Sequence, residues 1–212
     1  MSARAMKTVA GALLLALLAA CSALPDKPVR ETMYDFGPGM AAAPDAGASR
    51  SAPLVLPDLE VSGSLESTAL LYRLGYADPH QLRPYAYARW SAPPGQLVQQ
   101  RLREVLGRSR PVLDSAAAAS LARRGGATPP MLRVELEEFS QLFDTATDSK
   151  GVLRLRCTLL ESTAAGERLV AQRSFTAQRP APTPDASGGV RALTAATDAV
   201  AQEIATWLQQ QP

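Results

Sequence analysis

The most reactive groups in this 212-residue sequence are two thiols, Cys21 and Cys157, and one imidazole, His80. Cys21 closes the run Leu18-Ala19-Ala20-Cys21. Small residues before it leave the sulfur sterically reachable. Cys157 lies in "VLRLRCTLL", where Leu153, Leu155, Cys157 and Leu159 share one parity and Arg154, Arg156 and Thr158 the other. That pattern predicts a half-buried strand with the thiol turned inward, acting as a small hydrophobe rather than a nucleophile. His80 sits in the polar, turn-like "YADPHQLRP". A catalytic imidazole needs an orienting acid and a nucleophile in reach, and the local sequence offers neither, so His80 reads as a surface residue.

The elements around Cys21 decide its role. Arg4 and Lys7 form a positive start, and Val9 to Ala20 is uncharged and almost wholly apolar. As a helix this stretch would span about 18 Å, well short of the roughly 30 Å hydrocarbon core, so it suits a secretory signal better than a transmembrane anchor. The four residues ending at Cys21 resemble the bacterial lipobox. The expectation is a signal peptide over 1–20, a lipid on Cys21 as the new first residue, and a polar tether over 21–31. Two or more fatty chains anchor a protein stably where one does not. Ser22 follows the cysteine in place of the aspartate that retains proteobacterial lipoproteins at the inner membrane. That favours the outer membrane, with the folded part on its periplasmic face. The periplasm supports disulfides, but with Cys21 lipidated, Cys157 has no partner in its own chain.

Removing the signal takes two positive charges from the 22 Lys+Arg and leaves 20 against 20 Asp+Glu. The balanced mature chain lacks the clustered basic face of a nucleic-acid binder. Short runs such as Arg101/Arg103 and Arg123/Arg124 read as solvated surface. No histidine or cysteine cluster has metal-ligand spacing, and neither a phosphate-binding glycine loop nor a G-x-S-x-G elbow occurs. The sequence therefore points to no enzyme, no cofactor and no metal.

Periodicity predicts one α+β domain over 32–212, a largely antiparallel sheet packed with a central amphipathic helix and a C-terminal helix. "MYDFGP" starts a first strand, and residues 37–53, rich in Ala, Gly, Pro and Ser, form a flexible insertion. In "PLVLPDLEV" Pro57 breaks a strand or holds it at an edge. "TALLYRLGY", with Leu70, Tyr72, Leu74 and Tyr76 on one face, and "HQLRPYAYARW" are extended. Ser91 is the expected N-cap of a helix whose stripe is Val98, Leu102, Val105 and Leu106, with Gly107 at its end. Asp114 or Ser115 caps a short alanine-rich helix. Three strands follow as a meander. Residues 131–143 switch faces between Leu136 and Phe139, which predicts a bulge. Residues 151–160 hold Cys157, and residues 167–177 place Leu169, Ala171 and Phe175 together. The last helix runs from about Val190 to Gln210 and buries Leu193, Thr197, Val200, Ile204 and Trp207.

The unusual segment is residues 72–106, where Tyr72, Tyr76, Tyr85, Tyr87 and Trp90 interleave with Arg73, Arg83 and Arg89. Aromatic and arginine residues gather at interface centres, and they also build cores in which arginine stems cover tyrosine rings. Both readings stand on composition. Tyr34-Asp35-Phe36, Tyr72-Arg73, the run Arg89-Trp90-Ser91-Ala92-Pro93-Pro94 before an amphipathic helix, and Trp207-Leu208 resemble, in order, the ABC-type transport auxiliary lipoprotein family, the PqiC-like group. The resemblance implies a non-catalytic docking subunit of an ABC/MCE-type intermembrane lipid transport system. Its partners would be an MCE-domain periplasmic protein and its transporter, and self-association stays open. It makes Arg89, Trp90, Tyr85 and Tyr87 the candidate partner contacts. The alternatives are another envelope assembly lipoprotein, a secretion pilotin or lipopolysaccharide-assembly factor, or a periplasmic hydrolase.

Overall fold

A strand that buries one face alternates apolar and polar side chains, and the computed structural model is organised by three long strands of this kind. The structure describes residues 30–39, 51–124 and 128–211. The signal segment, Cys21, the tether up to residue 29, and residues 40–50 of the expected insertion lie outside the described residues. Those from Glu31 onward belong to one compact unit.

The long strands are β7 (Met131–Phe143), β8 (Ser149–Thr163) and β9 (Gly166–Pro180), paired antiparallel in sequence order. This is the expected meander. Leu132, Val134 and Leu136 are buried, the register slips between Leu136 and Glu138, and Phe139 and Phe143 are buried beyond it. The bulge lies where the change of parity requires it. A second slip, between Leu159 and Leu160, shifts β9 and overturns one expectation: Leu169 is exposed, and Val170 packs on the core beside Ala171.

The far edge of β7 takes β2 (Leu54–Val55), β3 (Glu60–Val61) and β4 (Ala69–Leu74) in turn, all parallel to it. Pro57 separates β2 from β3, as its missing N–H predicts. β4 turns into β5 (Asp78–Trp90), antiparallel, and β1 (Thr32–Tyr34) lies parallel to β5 at the sheet edge. β4 departs from simple alternation: an irregular register lets Leu70 and Leu71 both be buried, and Tyr76 falls in the exposed turn beyond the strand.

Helix α1 (Pro94–Leu106) buries the predicted stripe. Its N-cap is Pro93 rather than Ser91, because the paired prolines begin the helix two residues later, with proline in the first turn where no N–H is needed. After β6 (Val112–Leu113), Asp114 caps α2 (Ser115–Arg123) by accepting from the Ala117 N–H at 2.7 Å. Helix α3 (Ala186–Gln209), N-capped by Asp185, begins four residues before the expected Val190. It lies across β8 and β9 and against α1. Gly151 of β8 makes that approach possible, since a Cβ there would fall 2.6 Å from the Leu193 nitrogen. The opposite face of the sheet carries ion pairs, among them Arg154 with Glu137 at 2.9 Å and Arg133 with Glu60 and Glu167 at 3.6 Å. These pairs are exposed and each adds little to stability.

Candidate partner-contact site

The irregular pairing of β4 and β5 splits the aromatic cluster. Between Leu71↔Pro84 and Ala69↔Arg89 the second strand carries extra residues, so Tyr85 and Trp90 turn toward the helices while Tyr87 and Arg89 do not. Trp90 is 1% exposed, packed against Phe36 edge-on at 5.7 Å and against Phe139 at 5.4 Å. It corrects the reading of Trp90 as a contact: the ring fills the core and offers no surface. Tyr85 is half-buried. Its ring lies 4.6 Å from that of Tyr72, and its hydroxyl donates to Gln141 Oε1 at 2.8 Å. Gln141 Nε2 in turn donates to Ser149 Oγ at 2.8 Å. Burial, followed by the neighbouring Tyr72 and Asp185, raises the Tyr85 pKa well above the ordinary phenol range. The chain of bonds satisfies a fully buried amide. Gly189 at the start of α3 makes room for it, because a Cβ there would overlap Gln141 Oε1.

Tyr87 is 58% exposed, and Met33, paired with Arg89 across the β1–β5 ladder, is 66% exposed. Arg89 donates through Nη1 to the Tyr85 carbonyl at 3.0 Å and meets Glu31 through Nη2 at 3.2 Å. These contacts tie the guanidinium to the backbone of its own strand and to the residue just before β1. Of the four candidate residues, Tyr87 and Arg89 thus face outward at the sheet edge, with Tyr85 and Trp90 beneath them. Met33 had no sequence signal, because a three-residue strand has too little periodicity to assign a face. A groove of about 630 Å³ runs beside β1, between Tyr34, Phe36 and Ser91 on one side and Val190, Thr194 and Asp198 on the other.

Arg101 corrects a second expectation. It is 4% exposed, donates to the Phe36 carbonyl at 3.0 Å, and approaches Asp198 at 3.2 Å and Glu104 at 3.6 Å. It ties α1, α3 and the segment after β1 together. Arg103 is likewise not free surface, since Nη2 donates to the Leu56 carbonyl at 2.8 Å. The signal for Arg101 was present: it stands one turn from Leu97, Val98 and Val105 on the buried stripe.

His80 is exposed, and its backbone N–H donates to Asp78 Oδ1 at 2.9 Å. Among the described residues no group of His, Cys, Asp and Glu could hold a metal ion. Cys157 is fully buried, and burial pushes its thiol up to about 12. The unfolded thiol ionises near pH 8.5. The folded state therefore binds the proton more tightly, and the thiol's contribution to stability is complete below about pH 8.5 and is lost as pH rises toward 12. Denaturant unfolding should show this decline, with a smaller one in Cys157→Ala. A thiol reagent at pH 8 should label Cys157 only as fast as the domain opens.

The comparisons with known proteins agree with this architecture. A family model described as "ABC-type transport auxiliary lipoprotein component" matches residues 34–205. The crystal structure of protein XCC0632 from Xanthomonas campestris superposes with a TM-score of 0.67 at 19% identity, over 84% of this chain and 94% of that one. A second crystal structure, of a protein described as uncharacterized, gives 0.63 at 16% identity, over 84% and 99%. At these identities the likeness is one of fold. No curated protein matches the sequence. With the family model spanning the sheet from β1 to the last turns of α3, the chain belongs to the ABC-type transport auxiliary lipoprotein family.

Proposed function

We propose that the protein is a lipid-anchored, non-catalytic docking subunit of an intermembrane lipid transport system, held at the periplasmic face of the outer membrane through Cys21. Its partners in this reading are an MCE-domain periplasmic protein and the ABC transporter it serves. The observation that carries the reading is the family match over residues 34–205. The exposed edge of the aromatic cluster supports it: Tyr87, Arg89 and Met33 sit side by side on the strands that follow the tether, and aromatic and arginine side chains are the usual anchors of protein interfaces.

Affinity purification from detergent-solubilised native membranes should bring down the MCE-domain protein or the transporter. The double variant Tyr87→Ala/Arg89→Ala should lower that capture roughly tenfold, as loss of interface anchors does. Its unfolding midpoint should stay close to the parent's, because surface changes shift stability by about 0.5 kcal/mol or less. Purified complexes that contain neither partner would rule the reading out.

A further inference from the structure

At the end of the sheet farthest along β8, the turn after α1 carries Arg110, whose backbone N–H donates to the Leu106 carbonyl at 3.2 Å. Its side chain lines a cavity of about 300 Å³ whose apolar wall is Leu54, Pro130, Leu159 and Leu208. The Arg110 Nε is buried and has no hydrogen-bond partner, and among the described residues Arg110 is in none of the ion pairs. Glu161 stands on the rim, its carboxylate held by Arg168. A guanidinium that no side chain or carbonyl of the fold engages keeps its outer Nη donors free for an incoming acceptor. Its planar fork matches a carboxylate two bonds at a time.

We propose that this cavity binds a small organic anion: a carboxylate on a short apolar body, with the carboxylate paired to Arg110 and the body against Leu54, Leu159 and Leu208. The volume sits at the lower end of small-molecule pockets, which run from roughly 300 to 1,000 Å³, so the apolar body is the size of one large side chain. Burial also lowers the Arg110 pKa from its ordinary value, the direction expected of a cation missing its counter-ion. The carboxylate has two sources, a free aliphatic acid or the C-terminal residue of a peptide.

The test is a titration of the chain carrying Cys21→Ala, handled without detergent, with hexanoate, with neutral hexanol, and with an acetylated tripeptide ending in leucine alongside its C-terminal amide. Hexanoate should bind saturably, and hexanol roughly tenfold more weakly, as loss of a charge-assisted bond implies. Arg110→Gln should weaken hexanoate by a similar factor while its unfolding midpoint stays level, because the side chain makes no hydrogen bond or ion pair that the fold would lose. Arg110→Lys, which keeps the charge and loses the fork, should fall between. Arg108→Gln, at an exposed neighbour, should change nothing. A peptide acid that binds more tightly than hexanoate, with its amide inactive, identifies the source as a chain terminus; hexanoate binding more tightly identifies a free acid. Equal binding of hexanoate and hexanol, no saturable binding of either acid up to about 10 mM, or full affinity in both Arg110 variants would overturn the proposal.

Discussion

Replacing Trp90 by alanine should cost the domain about 3–5 kcal/mol of folding free energy, the range for removing a large aromatic side chain from a core that cannot collapse around the void. Trp90 is among the largest fully buried side chains of the fold. Its ring touches Phe36, on the segment after β1, and Phe139, beyond the bulge in β7. The void would open where the edge strand, the central strand and α1 converge, and backbone ladders on two sides limit relaxation. Set against a total of roughly 5–15 kcal/mol for a domain, the loss approaches a third or more. For about 180 residues it should lower the thermal midpoint by roughly 10 °C. Urea unfolding is the measurement, with the midpoint falling and the slope unchanged. Trp90→Phe should recover most of the stability and capture partners as the parent does, because the side chain supports the exposed edge from below rather than meeting a partner. An alanine variant as stable as the parent would remove Trp90 from the core, and a folded Trp90→Phe that loses its partners would return it to the interface.

Much of this architecture could be read from the chain, and the parts that could not share a physical cause. β7, β8 and β9 are long, each with one face against the helices, so alternation revealed the strands, the inward thiol of Cys157 and even the bulge near Glu137. α1 and α3 carry stripes long enough to fix their buried faces. The strands added in parallel along β7 were harder. β2 and β3 have two residues each, too few for a period, and their partners are set by long-range pairing that no local pattern encodes. The slip that exposes Leu169 is a second bulge in a strand where Leu169, Val170 and Ala171 are consecutive apolar residues, so parity alone could not choose between them. Arg101 was hidden by its type: arginine on a helix is usually solvated, and only its position on the stripe marked it as buried. In the candidate site, composition found the right segment but could not say which side chains faced out. The sorting of Tyr87 and Arg89 from Tyr85 and Trp90 comes from the irregular β4–β5 register, a property of two strands together.

The other large effect lies at the first residue of the expected mature chain. Cys21→Ala should move the protein from the membrane fraction to the soluble periplasmic fraction without changing its unfolding midpoint. Each buried CH₂ contributes about 0.8 kcal/mol to membrane binding, so two or three fatty chains hold a protein through any salt wash, and even one chain binds with an association constant of only about 10⁴ M⁻¹. The described residues offer no substitute of that size. Among the described residues no helix is long and apolar enough to cross a membrane. The charges of the expected mature chain would balance at 20 against 20, which would leave little net attraction to an anionic surface. Met33, Tyr76, Tyr87, Leu121 and Leu169 expose apolar area, but single side chains on different elements fall far short of an acyl chain. The parent should therefore resist a wash with about 1 M salt, which screens charge beyond roughly 3 Å, and leave only with detergent. The variant should already be in the supernatant. Performing the fractionation in cells lacking the transporter and its MCE-domain protein separates lipid anchoring from retention by a partner. A variant that still sediments there with membranes after the wash would show that something other than a lipid on Cys21 holds the domain to the bilayer.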